Sequence, residues 1–113
     1  MTQGIVEFSD WEKLDLRVAE ITEVENIEGA DKLYKLTLNV GELGKRVICA
    51  GIKPYYSKED LKDKKIIYFS NLKPRKMKGI KSQGMLLAAS TKNHEKVVLI
   101  SPMSDIENGS RIS

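Results

Sequence analysis

Between residues 14 and 24 the apolar positions fall at Leu14, Leu16 and Val18, with polar residues between, and then resume out of phase at Ile21 and Val24. Alternation with period two marks a strand with one buried face. A slip of phase is the trace of a β-bulge, so the stretch predicts a long first strand bent partway along. LYKLTLNV, residues 33–40, sets Tyr34, Leu36, Leu38 and Val40 against Lys35, Thr37 and Asn39, a second half-buried strand. GELG, residues 41–44, separates that run from RVICAG, which predicts a hairpin with a four-residue connection.

In KPYYSKEDLK, residues 53–62, Ser57 stands three residues before Asp60, with Glu59 beside it. That spacing resembles a capping box, with acids where a helix N-terminus favours negative charge, and predicts a helix of about two turns. KKIIYFSNL and GMLLAAST read as fourth and fifth strands, EKVVLIS as an edge piece, and Asn108 with Gly109 as a turn. Three strands, a short helix and two further strands predict an all-β fold. The expected form is a five-stranded barrel of the oligonucleotide/oligosaccharide-binding type (OB-fold), with short terminal extensions. A chain of 113 residues fits a single domain, 1–113, with a core of about 12–100.

Composition narrows the function classes. No apolar run is long enough to span a bilayer, and residues 1–10 lack the basic flank and apolar core of a leader, so a cytoplasmic location and no membrane partner are expected. The single Cys49, among small and branched apolar residues, reads as core. His94, the only histidine, lies in the polar turn TKNHEK. No zinc spacing and no phosphate-cradling glycine motif is present. No catalytic residue, metal or cofactor is therefore expected, and the chain is not expected to be an enzyme.

Charge is unevenly spread. Residues 1–31 hold nine acids and two bases, residues 32–81 hold fourteen bases and four acids, and the remainder balances at three each. The bases concentrate in NLKPRKMKGIKSQGMLL, residues 71–87, where Lys73, Arg75, Lys76, Lys78 and Lys81 stand with no acid among them. Beside proline and glycine in a connection between strands, such residues project outward and neutralise phosphates. Arg75 can fork two donors onto one phosphate while the lysines act as point charges. Asn71 and Ser82 offer neutral hydrogen bonds, and Met85 a thioether that packs against an unstacked base. Lys35 is the expected addition from outside the block, because its strand face points away from the apolar set. Aromatic residues are only 6% of the chain, so a folded RNA read by shape and phosphate fits better than single strands on stacking platforms.

LDLRVAEI, ADKLYKLTLNVG, RVICAGIKPYYSKEDLKDKKI and above all NLKPRKMKG followed by Ser82, Gly84 and Met85 resemble the tRNA-binding domain at the C-terminus of methionyl-tRNA synthetases. Similar domains occur in free-standing dimeric tRNA-binding proteins, a yeast synthetase cofactor and endothelial monocyte-activating polypeptide II. The resemblance runs from Phe8 onward. It implies an OB-fold and structure-specific, sequence-tolerant tRNA binding by a non-catalytic module that acts in trans to support aminoacylation, with methionyl-tRNA synthetase as the expected partner. Its tRNA-contacting block falls on Asn71, Lys73, Arg75, Lys76, Lys78, Ser82 and Met85. It also implies the free-standing form and a homodimer, with terminal segments 1–11 and 101–113 in the interface and Phe8 and Trp11 as anchors.

The first strand and C-terminal pattern, FSDWEKLDLRVAEI and VVLISPMSDIENGSRIS, also resemble the CsaA-type secretion chaperones, which are dimeric barrels that bind unfolded peptides. Those proteins carry a weaker basic block, and that difference favours tRNA.

Overall fold

The computed structural model describes residues 4–113, so the first three positions of the expected terminal segment lie outside the described residues. Strand β1, Leu16–Ile27, pairs antiparallel with β2, Ala30–Asn39, along its C-terminal half and with β4, Lys65–Phe69, along its N-terminal half. Strand β3, Lys45–Ala50, pairs with β2, and β7, Met85–Leu86, pairs with β4. The resulting five-stranded sheet runs β3-β2-β1-β4-β7. The fold is all-β, as expected.

The phase slip after Val18, expected to mark a bulge, has another cause, and the bulge lies further along the strand. Leu16 and Val18 point to one face, where with Ile67 they form a small cluster under Trp11, Leu14, Leu87 and Ile112. Ala19 and Ile21 point to the other face, into the main core with Leu36, Leu38, Ile48, Ile66 and Tyr68. The slip after Val18 is thus a change of buried face. The bulge lies at Thr22, where the register steps from Ile21↔Leu38 to Glu23↔Thr37 and the Thr22 hydroxyl donates to the Thr37 carbonyl at 3.1 Å. One extra residue there bends β1 so that it serves two partners.

The sheet curls but its ladder does not close into the expected barrel. The free edge of β3 is covered instead by the segment leading to β7: Gln83 N donates to Val47 O at 2.8 Å, and Gln83 Oε1 accepts from Val47 N at 3.0 Å. The predicted fifth strand is broken in two. Leu87 turns onto the Leu16 and Val18 cluster, so only β7 stays in the main sheet. Strand β8, Ala88–Ser90, leaves it to pair with β9, Val97–Leu99.

Helix α2, Lys58–Leu61, lies between β3 and β4 and carries the capping box: Ser57 Oγ accepts from Asp60 N, and the Asp60 carboxylate accepts from Ser57 N. It is one turn long rather than two. Past it, Asp63 takes φ 68° and its N–H donates to Ile21 O at 2.7 Å, so the chain is drawn into β1 before a second turn can form. Leu61, fully buried, plugs the core, a contribution of about 1.5–3 kcal/mol for a side chain of this kind. A short helix α1, Phe8–Glu12, precedes β1. The C-terminal segment lies along β1, with Gly109 N donating to Val18 O, Val18 N to Ser110 O and Ile112 N to Leu16 O. No helix among the described residues is long and apolar enough to cross a membrane.

Candidate nucleic-acid interface

The basic block is a hairpin rather than an irregular loop. Strand β5, Arg75–Met77, pairs with β6, Ile80–Ser82, through Arg75↔Ser82, Lys76↔Lys81 and Met77↔Ile80. The turn is Lys78 and Gly79, both at positive φ (50° and 80°), the mirror-image geometry that suits the twist of a two-residue hairpin. Because side chains alternate along each strand, Arg75, Met77, Ile80 and Ser82 share one face, while Lys76 and Lys81 share the other.

The first face is bound to the body of the protein. Met77 and Ile80 pack with Leu33 on a cluster of Ile27, Ala30 and Cys49 on the outer side of β2 and β3. The buried Ser82 hydroxyl accepts from Cys49 N at 3.0 Å. A third clamp stands at the hairpin's exit, where the Tyr68 hydroxyl donates to Gln83 O. Gly84, at φ 96°, lies so close to the Phe69 carbonyl and the Tyr68 ring that no other residue fits. At its entry, the Asn71 amide accepts from Asp15 N at 2.9 Å and donates to Lys13 O at 2.7 Å. The hairpin is therefore held at both ends and along one face, and its outer lysines are presented on a fixed platform.

All five cations, Lys73, Arg75, Lys76, Lys78 and Lys81, are exposed. None forms an ion pair among the described residues, whereas Lys13, Arg17, Lys35, Lys62, Lys65 and Arg111 do. Lys76 and Lys81 face each other directly across the strand pair, an arrangement that repels unless an anion sits between or above them. Four of these cations lie on the hairpin and Lys73 just before it, and without partners among the described residues they raise the local concentration of polyanions.

Behind the hairpin lies a cavity of about 330 Å³ walled by Cys49, Leu72, Met77 and Met85, with Lys73 and Arg75 at its mouth. Burial pushes the Cys49 thiol up from its ordinary value, an effect opposed by nearby Lys35, so the wall stays uncharged at neutral pH. Arg75 Nη2 lies 3.6 Å from Met77 Sδ. Met85 is 46% exposed.

Not every residue singled out in the sequence has a free polar group here. Both polar atoms of the Asn71 amide are engaged with the backbone before β1, and the Ser82 oxygen accepts from β3, which leaves only the hydroxyl proton of Ser82 without a partner among the described residues. Lys35 lies opposite Cys49 in the β2–β3 ladder and approaches Glu25 at 4.0 Å. Lys65, by contrast, pairs with Asp105 at 2.8 Å in the C-terminal region. Sequence reasoning missed Leu72 and Cys49 as cavity walls, Gln83 as the clamp on β3, and Arg46, which reaches Ser70 O and the Tyr68 hydroxyl at 3.4 Å beneath the hairpin's base. None of the four belongs to a local pattern that would have marked it.

Residues 16–111 match the sequence profile of the tRNA binding domain, the family tRNA_bind. The chain belongs to the tRNA-binding domain family. It is similar to a methionine–tRNA ligase of Caldanaerobacter subterraneus subsp. tengcongensis, 52% identical over 108 residues that make up 96% of this chain and 16% of that enzyme. One from Thermococcus onnurineus is 44% identical over 107 residues, 95% of this chain and 14% of that enzyme. The chain thus spans about a sixth of the length of these relatives. Among solved structures, a MetRS related protein from Pyrococcus horikoshii superposes with a TM-score of 0.91 at 33% identity, covering 98% of this chain and 100% of that one. The chaperone CsaA of Bacillus anthracis gives 0.88 at 31%, covering 97% and 100%. The C-terminal domain of Plasmodium vivax p43 gives 0.82 at 38%, covering 88% and 59%.

Proposed function

We propose that this chain binds tRNA through the β5–β6 hairpin and, acting in trans in the cytoplasm, holds it for aminoacylation by methionyl-tRNA synthetase. The observation that carries the proposal is the set of five exposed cations, unpaired among the described residues, on and just before a clamped hairpin in a domain of the tRNA-binding family. Lys73, Arg75, Lys76, Lys78 and Lys81 contact phosphates, Met85 gives an apolar contact, Asn71 and Ser82 fix the hairpin's ends, and Lys35 extends the basic surface toward β2. The reading assigns the chain no catalytic step and no cofactor. A link to the synthetase is supported by the likeness to methionine–tRNA ligases and to the MetRS related protein. Adding this protein to a methionyl-tRNA synthetase catalytic body should lower the KM for tRNA several-fold and leave kcat unchanged; no change in KM would overturn the role in trans.

A single hairpin covers little of an L-shaped RNA, and a homodimer would present two. The proposed interface uses the terminal segments of one domain spanning the chain. Ile5, Val6 and Phe8 are exposed at the N-terminus, beside a groove walled by Phe8, Trp11, Leu14 and Ile112. Apolar groups so placed mark an interaction surface. Sedimentation should give a two-chain mass that Phe8→Glu reduces to one.

The likeness to CsaA supports a second reading, the binding of unfolded peptides. It predicts peptide binding that is insensitive to salt, whereas phosphate contacts weaken steeply as salt rises.

A further inference from the structure

The cavity behind the hairpin differs from the outer lysine face in chemistry. Its walls are the thiol of Cys49, the Leu72 side chain and the thioethers of Met77 and Met85, and Gly84 leaves part of the lining as bare backbone. About 330 Å³ lies at the lower end of the range for small-ligand sites. Two cations, Lys73 and Arg75, stand at the mouth. Within it, the Ser82 hydroxyl accepts from Cys49 N and donates to no acceptor among the described residues, so its proton is available to a guest. Apolar walls, one buried donor and a cationic rim together fit a flat, uncharged group covalently attached to an anion.

We propose that this cavity receives one unpaired nucleobase of the bound RNA, with the adjoining phosphate held by Lys73 and Arg75. The proposal rests on the tRNA-binding reading and adds to it a contact that a perfect duplex cannot make, because its bases are all stacked and paired. Thioethers and a leucine adapt to the shape of a guest and carry no fixed donor pattern, so the cavity accepts any base and selects for unpaired structure rather than sequence.

The test compares total tRNA with a blunt RNA duplex of similar charge, bound by the wild-type protein, Met85→Ala, Leu72→Ala and Lys76→Ala. Met85 and Leu72 are both partly exposed, at 46% and 38%, so these changes leave the fold intact. Each should weaken tRNA binding about fivefold, the low end for loss of one base contact, with an unchanged salt slope and unchanged affinity for the duplex. Lys76→Ala should weaken both ligands and flatten the slope. If Met85→Ala and Leu72→Ala leave tRNA binding unchanged, or weaken duplex binding equally, the cavity does not hold a base while the phosphate reading stands. If the wild-type protein does not bind tRNA, both readings fall.

Discussion

Lys76 and Lys81 stand directly opposite each other on the exposed face of the β5–β6 hairpin, and no carboxylate among the described residues reaches either. Like charges so placed cost stability, and the fold tolerates them on an element clamped along its other face by Met77, Ile80 and Ser82. Lys81→Glu should convert the repulsion to attraction. Thermal unfolding is expected to show a gain of about 0.2–1 kcal/mol, while tRNA affinity falls at least tenfold. A variant that lost both stability and binding would show the pair to be structural.

Gly84 sets the hairpin's position relative to β4. At φ 96°, with the Phe69 carbonyl and Tyr68 ring where a Cβ would stand, any side chain adds backbone strain and a clash with main chain at once. Gly84→Ala should lower stability by more than the roughly 1–3 kcal/mol of strain alone, read as a reduced denaturation midpoint. Gly79→Ala is the control. It shares the positive φ but has open space around it, and should cost less.

Asp15 ties the start of β1 to the C-terminal segment. Its carboxylate accepts from Arg17 Nε at 2.6 Å and lies 3.3 Å from Arg111 Nε. The hydrogen bond from Arg17, with the charges of Arg17 and Arg111, outweighs desolvation and holds its pKa below the ordinary 3.8. A depressed carboxylate stabilises the fold above its unfolded value, and that contribution disappears as pH falls through the lower folded value. Asp15→Asn should therefore lower the melting temperature at pH 7 and make the melting temperature fall less steeply below about pH 4. An acid limb identical to that of the wild type would remove Asp15 from the linkage.

Much of this was legible in local pattern. The long first strand, the buried face of β2, the capping box at Ser57 and the concentration of cations in residues 71–87 all follow from spacing over a few residues, whereas the bulge read after Val18 lies at Thr22. What was not legible depends on partners distant in sequence. The change of buried face between Val18 and Ala19 exists because the terminal segments cover one side of the sheet. The second turn of α2 is lost to a hydrogen bond with Ile21, some forty residues away. Three-residue strands such as β5 and β6 are too short to show alternation, so the block reads as loop until Met77 and Ile80 find the Cys49 cluster. Asn71 and Ser82 were marked as candidate contacts from residue type, but a residue's type does not tell whether its polar atoms are already engaged.

The most direct test is binding of total tRNA and of a charge-matched DNA duplex at three salt concentrations, for the wild type and for the triple variant Lys73→Ala, Arg75→Ala, Lys78→Ala. The hairpin interface predicts tRNA binding that beats the duplex. Its logarithm should fall with log salt with a slope of at most about −4.5 per chain for five neutralised phosphates, and the variant should lose most of both affinity and slope. Equal, weak binding of the two nucleic acids, or a variant indistinguishable from the wild type, would contradict it.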